Sequence, residues 1–179
     1  MNDMQTILKE ITDVLDKVDP QEVETAIELL GSGKRIFVLG EGRSGLQGKG
    51  FAMRLMHIGL TPFVIGESTT PSIQKDDVLV AISGSGTTST IVSLAEKARK
   101  QGTAVLGITS KADSPLGTLA SQVLVIPGAT KTGNGKSIQL LSTLFDQTLH
   151  IQLDYICLEL SRKLKVSNDD ANKQHSNME

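Results

Sequence analysis

Aromatic residues and positive charge are both scarce in this chain. Aromatics make up 3% of the 179 residues, there is no Trp, and the formal net charge is −2. Proteins that bind nucleic acid need cations for the phosphates and often use aromatic rings as stacking platforms for the bases. We therefore expect no nucleic-acid partner.

Cysteine and long apolar runs are scarce as well. The single cysteine, Cys157, permits no internal disulfide, which is typical of a reducing compartment. No apolar run approaches the roughly 18 residues that a membrane span requires. The N-terminal segment carries Asp3, Glu10 and Asp13 where a signal peptide would be basic and then apolar. These absences predict a soluble cytoplasmic protein without membrane association.

Short apolar strands alternate with helical patterns along most of the chain. Such alternation predicts a parallel sheet with helices on both faces, and Pro62 places the second strand at an edge. We expect an α/β three-layer sandwich with the flavodoxin-like strand order 2-1-3-4-5. Helices are expected over residues 4–18, 21–30 and 46–58, and strands over residues 35–39, 60–65, 77–82, 103–108 and 122–126, with helices or short helical turns between strands.

The C-terminal third predicts a loop at residues 127–135 and a long helix over residues 137–164. This helix is apolar on more than one side, so one sheet face cannot cover it and a homo-oligomer is expected. The polar tail after it is expected to fray. We predict one domain, made of N-terminal helices (1–33), an α/β core (34–136) and the long helix with its tail (137–179).

Two glycine-rich loops, GEGRSG at residues 40–45 and SGSGTT at residues 83–88, follow the first and third strands. In the order 2-1-3-4-5 these strands are neighbours, so both loops line one crevice beyond the strands' carboxyl ends. Small residues let the backbone approach an anion, and the following helix offers free N–H groups. Tight turns with Ser or Thr as helix caps are the structural alternative. The predicted phosphate-binding residues are Gly42, Arg43, Ser44, Ser83, Gly84, Ser85, Thr87 and Thr88.

The first loop also matches GxGxxG through Gly40, Gly42 and Gly45, and the acidic Glu67 lies roughly 20 positions further on, as in dinucleotide-binding folds. A nicotinamide-dependent enzyme is therefore an alternative. The second loop is not part of that scheme and suits a monophosphate. The pattern GxxxxGK[ST] is absent, which argues against a P-loop.

Several further segments carry a resemblance to a known family. They are GEGRSGLQGKGFAMRLMHIG (40–59), GE (66–67), SIQ (137–139), LFDQ (144–147) and QHSNME (174–179). Together with SGSGTT they resemble the sugar isomerase (SIS) family, most narrowly its 6-phospho-3-hexuloisomerases, over nearly the whole chain. The resemblance implies that D-arabino-hex-3-ulose 6-phosphate and fructose 6-phosphate are interconverted without metal or organic cofactor. It also implies a tetramer with shared active sites and, in the ribulose monophosphate pathway of formaldehyde fixation, a 3-hexulose-6-phosphate synthase as pathway partner.

Such a reaction moves a carbonyl between C3 and C2 through an enediol and needs a base. The resemblance points to Asp146 as the base, although the family usually has Glu there, to His175 as an acid/base reaching a neighbour's site, and to Gln139 at the substrate. Glu67, after the second strand, is the rival carboxylate. Because Asp is one methylene shorter than Glu, a non-catalytic phosphosugar-binding module or an isomerase of another sugar phosphate stays open.

Overall fold

Helices and parallel strands alternate along the chain, as the sequence predicts. The computed structural model describes residues 2–33, 35–131 and 136–178. Its elements are α1 (Asp3–Leu15), α2 (Pro20–Ser32), β1 (Ile36–Gly40), α3 (Gly42–His57), β2 (Pro62–Val64), β3 (Val78–Ile82), α4 (Ser89–Lys100), β4 (Ala104–Thr109), α5 (Pro115–Leu119), β5 (Gln122–Val125), α6 (Thr143–Leu164) and α7 (Asn168–Gln174).

The five strands form one sheet in the order β2-β1-β3-β4-β5, and every neighbouring pair is parallel. This confirms the predicted strand order and the edge position of β2. The central strands β1 and β3 run in register from Ile36↔Val78 to Gly40↔Ile82. The two glycine-rich loops consequently leave the sheet side by side.

Two apolar clusters cover the two faces of the sheet. On one face Val38, Val80 and their neighbours pack against α1, α2, α3 and α6, with Phe145 and Leu149 fully buried. On the other face Leu79 and its neighbours pack against α4 and α5. The alternation of strand side chains between faces and the helices on each side confirm the three-layer prediction.

The connection between β2 and β3 differs from the prediction, because residues 65–77 contain no helix. Arg35 fixes this segment instead. Its Nε and Nη2 donate to the two carboxylate oxygens of the buried Asp77 at 2.9 and 2.6 Å. Asp77 Oδ2 also accepts the Gln74 backbone N–H at 2.6 Å. A bidentate ion pair therefore holds the crossover where a helix was expected.

The starts of two helices and the C-terminal tail also differ from the sequence-based expectation. Helix α3 begins at Gly42 instead of residue 46, so the last four residues of GEGRSG are already helical. Helix α6 begins at Thr143 instead of residue 137, because Leu141 adopts φ +57°, a left-handed conformation that cannot continue a helix. The tail forms α7, capped by Ser167. Residues 132–135 of the predicted loop lie outside the described residues.

Candidate active site

An open pocket of about 380 Å³ lies beyond the carboxyl ends of β1 and β3, where the two glycine-rich loops were predicted to meet. The loop after β5 and the start of α6 complete its wall. The described lining residues are Glu41, Gly42, Arg43, Ser44, Ile82, Ser83, Gly84, Ser85, Thr88, Thr130, Lys131, Leu141, Ser142 and Asp146.

Three helices begin at this pocket without a side-chain cap. Their N-cap residues are Glu41 for α3, Thr88 for α4 and Ser142 for α6. Two of these have hydroxyls that would ordinarily cap a helix, but Thr88 Oγ1 contacts Ser83 Oγ at 2.9 Å and Ser142 Oγ accepts the Lys131 backbone N–H at 3.1 Å. The remaining described helices α1, α2, α5 and α7 are capped by Asn2, Asp19, Ser114 and Ser167.

The N–H groups at a helix start carry partial positive charge and need acceptors. Three such starts around one pocket are suited to an anion, because an anion can supply the acceptors that the side chains withhold. The diverted hydroxyl of Thr88 argues against the structural alternative, in which the SGSGTT residues serve only as caps.

The SGSGTT loop has one fixed shape. Ser83 Oγ accepts the Gly86 N–H at 3.1 Å. Gly86 has φ +67°, and a Cβ added there would lie 2.0 Å from Ser114 Oγ. Only glycine fits this position. Ser85 Oγ accepts the Thr87 hydroxyl at 2.9 Å, so the loop's hydroxyls are held in place before any ligand arrives.

Two glycines of the first loop, Gly40 and Gly45, are explained by close packing. A Cβ on Gly45 would lie 2.6 Å from the carbonyl oxygen of Gly40, so the first turn of α3 can rest against the end of β1 only without side chains. Glu67, the acidic residue of the dinucleotide pattern, pairs with Lys49 at 3.2 Å and does not line the pocket. The outer glycines of GxGxxG thus follow from helix–strand packing, whereas Gly42 has open space around it and a φ of +57°.

Asp146 places a buried carboxylate, 6% exposed, at the back of the pocket. Ser44 Oγ donates to its Oδ1 at 3.1 Å, and Arg43 Nε lies 3.1 Å from its Oδ2. Burial raises the pKa of Asp146 above its ordinary value, and the Ser44 hydrogen bond and the Arg43 charge offset only part of that rise. A carboxylate with a raised pKa is a stronger proton acceptor once it is ionised.

The predicted site residues divide into two groups. Eight line the pocket: Gly42, Arg43, Ser44, Ser83, Gly84, Ser85, Thr88 and Asp146. Four do not: Glu67, Thr87, Gln139 and His175. Thr87 is exposed beside the pocket, and Gln139 lies in the irregular segment before α6, where its N–H donates to Ser137 Oγ at 2.9 Å.

His175 lies near the end of α3 that is opposite the pocket. Its ring stacks on His57 with centroids 5.2 Å apart, at the C-terminal end of α3. Arg43 stands at the other end of that helix, about 21 Å away at a rise of 1.5 Å per residue. Within one chain, therefore, His175 and Asp146 do not share a site.

Sequence reasoning missed Lys131, a cation in the pocket wall, and with it Thr130 and Ser142. A usable indication was present. Residues that follow any strand of a parallel sheet emerge at the same edge, so the segment PGATK after β5 belongs beside the two glycine-rich loops.

Neither a metal site nor a membrane span is found in the part of the chain that the structure describes. Among residues 2–33, 35–131 and 136–178, no three or more His, Cys, Asp or Glu side chains are grouped to hold a metal ion. Over the same ranges, no helix combines the length and apolar character needed to cross a bilayer.

Known proteins share this sequence and architecture. The SIS domain family model matches residues 29–151. The 3-hexulose-6-phosphate isomerase of Mycobacterium gastri is 40% identical over 180 residues, covering 99% of this chain and 90% of that protein. The enzyme of the same name from Bacillus subtilis (strain 168) is 34% identical over 176 residues, covering 97% and 95%. A hypothetical protein of Methanococcus jannaschii, whose crystal structure infers a molecular function of 3-hexulose-6-phosphate isomerase, superposes with a TM-score of 0.88 at 29% identity over 100% of both chains. The chain therefore belongs to the SIS domain family, together with these relatives.

Proposed function

We propose that this chain interconverts D-arabino-hex-3-ulose 6-phosphate and fructose 6-phosphate, as a 6-phospho-3-hexuloisomerase. The observation that carries the proposal is the buried Asp146 carboxylate in a pocket bounded by three uncapped helix starts. The helix starts suit the phosphate and the carboxylate suits proton transfer. The names of the relatives indicate which sugar phosphate is used.

The phosphate is bound by the SGSGTT loop and the N–H groups of the helix starts. Ser83, Ser85 and Thr88 supply hydroxyls at the pocket wall, and Gly84 lets the backbone come close to the phosphate oxygens. With O6 esterified, the 3-ulose has no hydroxyl placed for a five-membered hemiketal. It enters as an open chain, and its binding energy places C2 and C3 near Asp146.

Asp146 is the base. It takes the proton from C2 of the 3-ulose, the C–H electrons form the C2=C3 bond, and O3 takes a proton from water, which gives the enediol and leaves hydroxide. The hydroxide then takes the proton of the O2 hydroxyl as the C2 carbonyl forms, and Asp146 returns its proton to C3. Lys131 lines the same pocket, and its positive charge can stabilise charge that develops on the oxygens.

The chain assembles as a homo-oligomer, which we infer to be a tetramer with shared active sites. Large apolar side chains are exposed on α1, α3 and α6, including Met4, Leu8, Leu46, Met53, Ile151, Tyr155 and Leu158. An opening of about 560 Å³ lined by Leu46 and Ile151 also includes Arg43 and Asp146, so this apolar surface reaches the edge of the pocket. In the assembly, the partner subunit's His175 approaches this pocket.

Assembly can be tested in two ways. Light scattering at micromolar concentration should give a multiple of 19.1 kDa, and a monomeric mass would contradict the proposal. If sites are shared, co-expressed Asp146→Asn and His175→Ala chains should form mixed oligomers with activity that neither variant has alone. A failure to complement, with the mixed oligomers demonstrated, would place His175 outside the site.

We also propose that the protein works in the cytoplasm, in the ribulose monophosphate pathway of formaldehyde fixation. The support is the single cysteine, which is buried, and the names of the relatives. A 3-hexulose-6-phosphate synthase would supply the substrate.

The reaction is tested with fructose 6-phosphate deuterated at both C1 and C3, with no added nicotinamide. Exchange of the C3 deuterium with solvent supports the proposal, while exchange at C1 would indicate an aldose-forming isomerase. Binding of the sugar phosphate without exchange at either carbon would indicate a phosphosugar-binding module. A panel of hexulose phosphates then identifies the preferred substrate from kcat/KM.

A further inference from the structure

Arg43 is the charged side chain in contact with the proposed base. Its Nε lies 3.1 Å from Asp146 Oδ2, and its Nη1 donates to Thr143 Oγ1 at 2.8 Å. Both contacts are made with the first turns of α6. The guanidinium is therefore directed along α6, toward the base and its neighbour, although the sequence suggested a ligand for the phosphate.

We propose that Arg43 is a positioning residue for Asp146, holding the carboxylate in the orientation that accepts the substrate's proton. This inference rests on the proposed function. It assigns the two oxygens of the base to two consecutive residues at the start of α3, with Ser44 on Oδ1 and Arg43 on Oδ2.

The burial of the carboxylate explains why it needs this support. Asp146 Oδ2 is buried and makes no aligned hydrogen bond, so the Arg43 charge is what compensates it. The Arg43 side chain is itself 46% exposed, whereas that of Asp146 is 8% exposed. The hydrogen bond from Arg43 Nη1 to Thr143 Oγ1 fixes the guanidinium against α6. The Arg43–Asp146 pair therefore has a defined geometry although Arg43 is partly exposed.

Other charged groups are less well placed to act on the base. Those that line the two openings at Asp146 are Glu41, Lys131 and His150, and Glu10 on α1 holds the segment before α6. Glu10 accepts from Ser137, and His150 contacts Gln47 at 2.9 Å. Glu41 and Lys131 line the pocket and stay available to the substrate.

The matched variants are Arg43→Gln, Arg43→Lys and Arg54→Gln. Arg54 is a suitable control because its Nη1–Asp154 Oδ1 pair, at 2.7 Å, also joins α3 to α6 but lies outside the pocket. Two experiments are made on the full-length protein. The first follows the titration of the Asp146 carboxyl by ¹³C NMR without ligand and gives its midpoint. The second is steady-state kinetics, which gives kcat, KM and the inhibition constant for inorganic phosphate as a competitive inhibitor.

We expect Arg43→Gln to move the Asp146 midpoint to higher pH, since a nearby cation favours the ionised form. Its kcat should fall about tenfold to a hundredfold, as for a misplaced catalytic group, with little change in the inhibition constant for phosphate. Arg43→Lys should restore the midpoint through its charge but not kcat, because an ammonium cannot reproduce the guanidinium's two-point geometry. Arg54→Gln should leave the midpoint where it is.

An unmoved Asp146 midpoint in Arg43→Gln would overturn the inference. So would weakened phosphate inhibition with an unchanged kcat, which would make Arg43 a phosphate ligand. The NMR measurement uses the ligand-free protein, so it stands even if the wild type shows no isomerase activity. Failure of the positioning role and failure of the proposed function are thereby separated.

Discussion

Replacing Asp146 by asparagine keeps the shape of the proposed base and removes its charge. The amide oxygen can still accept from Ser44 Oγ, which lies 3.1 Å from Oδ1, so the side chain should stay in place. The loss is then that of the proton acceptor itself, for which about a 10²- to 10⁴-fold fall in rate is typical. Exchange of the C3 deuterium of fructose 6-phosphate, followed by NMR, measures it.

The same substitution should stabilise the fold at neutral pH. Burial raises the pKa of Asp146 in the folded state above that in the unfolded chain. Between the two values the folded state binds more protons, so the free energy of unfolding decreases as pH rises through this window, and the penalty persists above it. Asparagine carries no such penalty. The Tm of Asp146→Asn should therefore exceed that of the wild type at pH 7, and the difference should shrink as pH falls toward ordinary Asp values.

Two comparisons make the test strict. Asp154→Asn, on the same helix but outside the pocket, should leave exchange near the wild-type rate. Asp146→Glu adds about 1 Å of reach to a carboxylate whose oxygens are already contacted at 3.1 Å by Ser44 and Arg43, so it should lower exchange up to a hundredfold. A gain in Asp146→Glu would mean that the site is weakened by its short side chain, and wild-type exchange in Asp146→Asn would refute Asp146 as the base.

The remaining predictions concern the two loops and the rival carboxylate. Gly86→Ala should lower the free energy of unfolding, measured in urea, by about 2–5 kcal/mol, because it combines left-handed backbone strain with overpacking. Gly50→Ala, with open space around it, should not lower it, and equal stabilities of the two variants would contradict this prediction. The double variant Ser85→Ala plus Thr87→Ala should raise KM about tenfold to a hundredfold for each hydrogen-bond donor to the phosphate that is lost. Thr87→Ala alone should contribute little, because Thr87 does not line the pocket. An unchanged KM in the double variant would show that the loop does not bind the phosphate. Glu67→Gln should keep C3 exchange near the wild-type rate, because Glu67 pairs with Lys49 outside the pocket. Loss of C3 exchange in this variant would instead identify Glu67 as the base.

Much of the fold could be predicted because the strands are short, apolar and separated by clear turn residues. Strand order and the meeting of the two glycine-rich loops follow from that pattern and from the handedness of crossovers. The parts of the fold that escaped prediction depend on individual features of the folded chain. Residues 65–77 depend on the Arg35–Asp77 pair, and α6 starts late because of the backbone at Leu141. Neither the Arg35–Asp77 pair nor the Leu141 conformation can be predicted from the local periodicity of apolar residues.

The site shows the same division. Seven of the eight residues that line the pocket could be found because they follow strands that end at one edge of the sheet, and the resemblance to the SIS family pointed to the eighth, Asp146. The contact of Arg43 with Asp146 could not, since it joins residues about a hundred positions apart. The reach of His175 into a partner's pocket and the single-domain organisation stay predictions.

The features that we propose to support binding and catalysis at this pocket are also features that oppose stability. Four described helices have side-chain caps, and the three that begin at the pocket do not. A missing cap costs about 0.5–2 kcal/mol. The ionised Asp146 is likewise disfavoured by burial, since its pKa is raised. A bound phosphate supplies the acceptors that the helix starts lack, so inorganic phosphate should stabilise the fold by mass action. The missing caps and the buried charge destabilise the free protein at the same pocket that the ligand occupies. Substitutions that remove these costs should therefore give variants that are more stable than the wild type but inactive.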